Sequence, residues 1–517
     1  MVGAMLPFMI STLILYPLFW LPVVHSESTT WNTNSEHQTV GENLGSRLCI
    51  EESDTQTMPR HPSTDWGLQM VQGRDEMYKA ILRDDAVAKL YHLGKISDAD
   101  GYLERTFLSH ASIQASSVIR GWMEDAGLTT WVDQMGNVHG RTEGMNASAE
   151  ALLIGSHLDT VIDAGIYDGS LGIICAISAM KVLKMSGMLE KLRRPVEIIA
   201  FSDEEGVRFQ MTFLGSAAIS GVLPVTSLHV SDKSGLTLAD VLKENHFEAT
   251  EESLLHLKYD PMSVGRYIEV HIEQGPVLES LGVALGVVEG IAGQTRIRVT
   301  VIGSQGHAGT VPMSMRRDPM AASAELIVML EDLCKHPENK INHDRESKGF
   351  IKEAFAGSVV CTVGQISSWP SASNVIPGQV TFSVDVRASE DSAREAIILE
   401  LENEMHQICN RRSVSCFLER KHNAEAIRCD KELSLQLKNA AQIAVKSISG
   451  DIGDNIPILM SGAGHDAMAI AHLTKVGMLF VRCRGGISHS SAEHVMEDDV
   501  WAASLAVLEF LQTQMNE

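Results

Sequence analysis

His157, Asp159 and Asp168 fall within one glycine-rich stretch, GSHLDTVIDAGIYDGSLG, from Gly155 to Gly172. A neutral imidazole and a carboxylate are donors that divalent cations accept. A carboxylate has two oxygens with which to bridge two cations, and a second acid nearby can take the other ring N–H of a ligating histidine. Three further stretches offer the same residue types. PVEIIAFSDEEGVRF ends in Asp203, Glu204 and Glu205 before a glycine, RYIEVHIEQGPVLE carries His271 ahead of Gln274, and ISHSSAEHV pairs His489 with Glu493. Neighbouring carboxylates at a strand end point in different directions, so one can bind a cation while the other acts as a general base. A solvated turn explains any one of these stretches alone, but four separate coincidences are needed to explain them all. Together they suffice for a two-cation site. Asp168 would bridge, His157 and His271 would complete one ion and Glu205 and His489 the other, a mixed N/O set that suits Zn²⁺ or Mn²⁺.

Strands must position these groups. ALLI (Ala151 to Ile154) reads as a buried strand and SLGIICAISAMKVLKM (Ser170 to Met185) as a helix, so the first stretch lies at the carboxyl end of a strand in a βα unit, where open α/β sheets place their ligands. The run before Asp203 is β-branched and apolar, and RYIEVHIE alternates, with Ile268, Val270 and Ile272 on one face and Glu269, His271 and Glu273 on a polar face. Upstream, Asp75 to Ile96 and His110 to Gly127 have helical periodicity, and TTWVD and GNVHGRTE read as short strands. From about 291 to 421 the order changes to β-α-β-β-α-β, a split βαβ unit carrying GHAGTVPMSMRRDP with His307, SASNVIPG with Asn374 and DVR with Arg387. A complete unit inserted between two halves of an α/β domain reads as a lid or dimerisation domain. The expected parts are therefore 75–290 and 422–517 as the catalytic domain and 291–421 as the insert. AGHDAMAIAHL, with His465 and Asp466, and the final ISHSSAEHV belong to the second catalytic part.

With 517 residues, 44% of them hydrophobic, the chain can bury two or three domains. A formal charge of −24 without a basic stripe argues against nucleic-acid or anionic-membrane partners, and a small anionic substrate needs locally placed Arg or His. No Walker loop, GxGxxG fingerprint or GxSxG elbow occurs. The eight cysteines, Cys49, Cys175, Cys334, Cys361, Cys409, Cys416, Cys429 and Cys483, form no CxxC pair or short-spaced framework and are expected mostly as buried thiols. Ala4 to Val24 is an uncharged apolar run read as a secretory signal (1–26) cleaved near Ser26, although no Lys or Arg precedes Arg47 and the alternative is a proline-interrupted membrane anchor. A polar linker follows, 27–74. Entry into the endoplasmic reticulum would make Asn146-Ala-Ser a usable glycosylation sequon.

The set GSHLDT, YDGSLG, SDEEGVRF, HIEQGP, GHAGTVPM, SNVIPG, DVR, SGAGHDAM and GISHSSAEH resembles the metallopeptidase-related amidohydrolases, from about Asp75 to Met515. This family includes N-carbamoyl amino-acid, ureidoglycolate and allantoate hydrolases, and FSDEEGVRFQ, PSASNVIPGQVTF and LMSGAGHDAMA are most similar to its allantoate branch. The resemblance implies a mixed-sheet dinuclear α/β catalytic domain with a ferredoxin-like lid through which the chain forms a homodimer. It implies metal ligands at His157, Asp168, Glu205, His271 and His489, a general base at Glu204, and Asp159 behind His157. It further implies that Gln274, His307, Asn374, Arg387 and His465 recognise the substrate's carboxylate and ureido groups, with Mn²⁺ the expected ion and His307 also serving the reaction. The implied chemistry is attack of water, deprotonated by Glu204, on a ureido carbonyl, with loss of ammonia and then CO₂. Where relatives usually have proline after the last His-Ser this chain has Ser491, which keeps the ligand but loosens the turn.

Overall fold

The computed structural model of the protein describes residues 76–337, 359–449 and 455–515. The apolar, β-branched runs form strands: β1 (Thr129–Val132), β2 (Val138–Thr142), β3 (Ala151–His157), β4 (Val196–Phe201), β5 (Val264–Ile272) and β6 (Leu285–Ile291). Next come β7 (Gly293–Ile302), β8 (Gly306–His307), β9 (Val360–Thr362), β10 (Ile366–Trp369), β11 (Val375–Ile376), β12 (Gln379–Ala388) and β13 (Ser415–Ala424). The last are β14 (Ile427–Arg428), β15 (Ile458–Ser461) and β16 (Lys475–Val481). A mixed nine-stranded sheet takes the order β1-β2-β4-β3-β5-β16-β6-β14, with β15 also on β6. Within it β4, β3, β5 and β16 are mutually parallel neighbours, so their carboxyl ends share one edge.

Helices cover both faces. The Ser170–Met185 helix is apolar nearly all round and buried accordingly, packed between the sheet and the Glu497–Thr513 helix. Gly172 sits where this helix meets the strands, and a Cβ there would lie 2.1 Å from the Val270 carbonyl oxygen. Because both faces are covered, the expected polar face of β5 is not a wet one. Glu269 is fully buried and His271 is 2% exposed. Upstream, the helical periodicity from Asp75 is realised from Glu76 to Leu93, with a π-helical stretch over Ala80–Asp85. The next helix spans His110–Asp125 and is capped by the Ser109 hydroxyl.

A second, wholly antiparallel sheet runs β10-β12-β7-β13, with β9 also on β12. Ile297, Val299, Val301, Phe382, Val384 and Val386 point to one face and are buried under the Pro319–Lys335 and Asp391–Arg412 helices. The opposite face carries Gln294, Arg296, Asp385 and Arg387, because side chains alternate along each strand. The expected middle strand is divided into β9 and β10, and a two-stranded ribbon, β8 with β11, stands apart from the sheet.

The cysteines depart from expectation. Cys334–Cys361 ties the end of one helix to β9 and Cys409–Cys416 ties the end of the other to β13, while Cys175, Cys429 and Cys483 are free and buried. Pairing depends on Cα separations, here 6.1 and 6.3 Å, which are set by how helix ends meet strands and not by spacing along the chain. The Ala4–Val24 run, the polar linker and Cys49 lie outside the described residues. Among those described, no helix is long and apolar enough to cross a membrane, and Asn146 is exposed in the loop between β2 and β3.

Candidate metal centre

The shared edge of β3, β4, β5 and β16 brings the four stretches together. β3 ends on His157, whose ring is seated on Gly169, a residue with φ +64°. A Cβ on Gly169 would come within 2.6 Å of the ring, so only glycine allows this approach. His157 Nδ1 lies 3.1 Å from the Asp159 carbonyl oxygen and His271 Nδ1 lies 2.9 Å from that of Ile272. An Nδ1–H donated to a carbonyl leaves Nε2 with the lone pair. The two Nε2 atoms face each other at 3.4 Å, and Asp168 Oδ1 stands 3.4 Å from that of His157 and 3.0 Å from that of His271. The other Asp168 oxygen lies 3.4 Å from His489 Nε2, which is itself 3.2 Å from Glu205 Oε1. Possible ligand atoms of His157, Asp168 and His271 fall within 4.8 Å of one another, as do those of Asp168, Glu205 and His489. Asp168 is common to both groups.

The electrostatics suit cations. Burial pushes the Glu204 carboxyl well above its usual range, with Glu205 and Asp466 adding to the effect. Burial disfavours charge on His157, yet Asp159 and Asp168 beside it hold its pKa well above that of a free imidazole. Protons thus do here what a divalent cation does better with the same oxygen and nitrogen donors, and the residues present fit such an ion.

The supports are closely built. Both Asp159 oxygens accept backbone N–H groups of the acidic turn, from Glu204 at 2.9 Å and Glu205 at 3.1 Å. Asp159 therefore anchors that turn as well as standing 3.6 Å from the His157 ring. Gln274 donates to Asp168 Oδ2 at 2.9 Å, so its amide contacts the carboxylate common to both groups directly. Glu493 accepts the Tyr167 and Asp168 N–H groups at 2.8 and 3.1 Å, joining the Asp168 turn to the His489 turn. One support had no signal in the sequence. Arg105, 1% exposed, donates to the Leu158 and Leu93 carbonyls and to the Ser170 hydroxyl, pinning the loop after His157; burial draws its pKa down to about 10, so it stays charged at neutral pH. Asp203 is buried with φ +56°, and burial raises its pKa well above the carboxylate range.

The cluster opens into a cavity of about 140 Å³ whose opposite wall is Gln294, Arg296 and Arg387 of the second sheet. Arg387 donates to both Asp385 oxygens at 2.9 and 3.1 Å and to the Gly462 carbonyl at 2.6 Å, linking the two sheets' domains. Gln294 and Arg296 belong to no recognisable motif in the sequence, although the alternation of GQTRIRVT puts them on the same face as Arg387. His465 is buried behind His271, ring to ring at 4.4 Å, and its Nε2 lies 2.8 Å from the Ser461 hydroxyl. His307 and Asn374 are exposed on the β8–β11 ribbon and do not line this cavity.

Comparison with known proteins agrees with this architecture. The chain is 67% identical over 442 residues to allantoate deiminase 2 of Glycine max, a match covering 86% of this chain and 92% of that one. It is 34% identical to an N-carbamoyl-L-amino-acid amidohydrolase of Pseudomonas sp. strain NS671, covering 82% and 95%. An amidase of the hydantoinase/carbamoylase family from Burkholderia multivorans superposes with a TM-score of 0.71 at 26% identity, covering 84% of this chain and 98% of that chain. The model of peptidase family M20/M25/M40 matches residues 153–513, from β3 through the last helix, and so takes in every strand end that builds the cluster: the chain belongs to that family.

Proposed function

We propose that this chain is an allantoate amidohydrolase that hydrolyses one ureido group of allantoate to give ureidoglycine, ammonia and CO₂. The observation that carries the reading is a donor cluster shared through Asp168 and faced across a small cavity by an arginine, together with 67% identity to an allantoate deiminase. Two divalent cations, Mn²⁺ in our assignment with Zn²⁺ suiting the same donors, would supply Lewis-acid polarisation of the ureido carbonyl and lower the pKa of the attacking water. His157, Asp168 and His271 would hold one, and Asp168, Glu205 and His489 the other. Glu204, buried and held in place through Asp159, takes the proton of the attacking water and returns it to the departing nitrogen. Arg387 orients the substrate carboxylate. Of its five N–H groups three are engaged by Asp385 and Gly462, which leaves two for the carboxylate.

In this reading the second sheet is a lid and a dimerisation domain, and His307 and Asn374 serve the partner subunit's cavity. Their exposure on the ribbon, away from the cavity of their own chain, supports that arrangement. Two disulfides support passage through the oxidising secretory pathway, to the endoplasmic reticulum, led by the apolar run at the start of the chain. Ammonia release by the purified protein from allantoate, ureidoglycolate and N-carbamoyl amino acids, each assayed with Mn²⁺ and Zn²⁺, tests the reading. Allantoate should be preferred, and a preference for either other substrate would replace it with the runner-up activity, ureidoglycolate or N-carbamoyl amino-acid hydrolysis.

A further inference from the structure

The cavity wall contributed by the second sheet holds more polar chemistry than a carboxylate clamp needs. Gln294 is directly paired across the strands with Arg387, and Arg296 with Asp385, so all four side chains share the face that looks onto the cluster. Gln294 is 4% exposed, yet its side-chain oxygen has no hydrogen-bond partner among the described residues. A buried acceptor left without a donor is costly unless something supplies one. Beside it, the half-exposed Arg296 makes only a 3.4 Å contact with Asp385, whose oxygens already serve Arg387 more closely. Two residues apart on a strand, Gln294 and Arg296 have Cα atoms about 6.7 Å apart and project to the same face. An acceptor and a cationic donor side by side on one cavity wall suit the N–H and C=O groups of a ureido arm. Arg296 also borders a second groove of about 480 Å³ that continues along the sheet, so a longer arm has somewhere to go.

We infer that Gln294 and Arg296 receive the second ureido arm of the substrate and set the preference for a diureido acid over an N-carbamoyl amino acid. Gln294 accepts an arm N–H and Arg296 donates to its carbonyl, while Arg387 holds the carboxylate and the cluster takes the reacting arm. This rests on the allantoate reading above. A pocket built to hydrogen-bond a polar substituent rejects the analogue lacking it, because its own polar groups are then left unpaired. The test compares allantoate with N-carbamoylglycine, which has the carboxylate and one ureido group but no second arm. The latter is followed as a substrate or, where turnover is slow, as a competitive inhibitor of allantoate hydrolysis. Gln294→Leu and Arg296→Met should each lower kcat/KM for allantoate by roughly 10- to 100-fold, and should change the constant for N-carbamoylglycine by at least tenfold less. Equal losses for both compounds, or no loss for allantoate, would overturn the assignment while leaving the allantoate reading intact. A wild-type enzyme that turned over N-carbamoylglycine and not allantoate would overturn both. Unchanged melting temperatures in the two variants confirm that any loss comes from the cavity and not from the fold.

Discussion

Glu204 and Glu205 are neighbours with the same side-chain chemistry, and their surroundings separate them. Glu205 is grouped with both His489 and Asp168, whereas Glu204 is buried and is grouped only with Glu205 and His157. Glu204→Gln should therefore keep the cations and lower kcat by about 10³-fold, because the amide has the same shape but cannot accept the proton. Metal content measured beside turnover checks it, and loss of metal would mean the two glutamates have exchanged roles. Arg387→Lys should raise KM for allantoate strongly with a smaller change in kcat, since an ammonium cannot reproduce the planar fork that holds Asp385 on one side and a carboxylate on the other. An unchanged KM would place the carboxylate elsewhere. The cluster itself was legible in the sequence because metal and proton chemistry restrict residue type to a few letters. Arg105 was not, since its partners are mostly backbone carbonyls that any sequence supplies. Gln274 was legible as a member of the site, but its contact with Asp168 depends on a left-handed backbone at φ +55° that glutamine does not advertise.

Among the elements, the strand pair that opens the large sheet is tied to β4 by a buried ion network. His139 on β2 lies 2.9 Å from Glu197 and 3.3 Å from Asp133, its ring stacked on Trp131 at 4.7 Å, and Glu197 also accepts from Tyr259 and Arg141. Burial disfavours the imidazolium, but Asp133 and Glu197 overcome this and raise its pKa to about 9. Because the folded value exceeds the unfolded one, about 6.5, the stabilisation is complete below pH 6.5 and is lost as the pH rises through 9. His139→Gln should thus melt several degrees below wild type at pH 6, with the gap closing towards pH 9.5. A gap independent of pH would show that the ring is uncharged in the fold. Strand and helix periods made most of these elements legible, including the β-α-β-β-α-β order of the second sheet. The division of its middle strand and the β8–β11 ribbon were not, because short extended segments around glycine and proline have no period to read. Nor were the disulfides, whose partners are chosen by packing between helix ends and strands.

At the scale of the whole molecule, pairing between distant strands decides what the sequence alone leaves open. β16 inserts between β5 and β6 although it lies far beyond both along the chain, and that register carries the His489 turn to Asp168. The same long-range placement sets His307 and Asn374 on an exposed ribbon outside the cavity of their own chain. In the proposed reading His307 takes part in recognition, and from outside its own cavity it would do so by swinging in with the second sheet's domain or by reaching the cavity of a second subunit. A mixed dimer separates the alternatives. One chain carries His307→Ala with Glu204 intact, the other Glu204→Gln with His307 intact. If His307 acts across the interface, the first chain's cluster receives the second chain's histidine and forms one complete site, while the other site lacks both groups. A purified heterodimer should then recover about half of the wild-type dimer's activity, although each homodimeric variant is nearly inactive. If His307 serves its own chain, each cavity lacks one group and the heterodimer recovers nothing. The closing motion is read separately, because closure around a bound substrate should protect the amides of β12 from hydrogen exchange in either case. Protection without recovery of activity would leave the lid role intact and assign His307 to its own subunit.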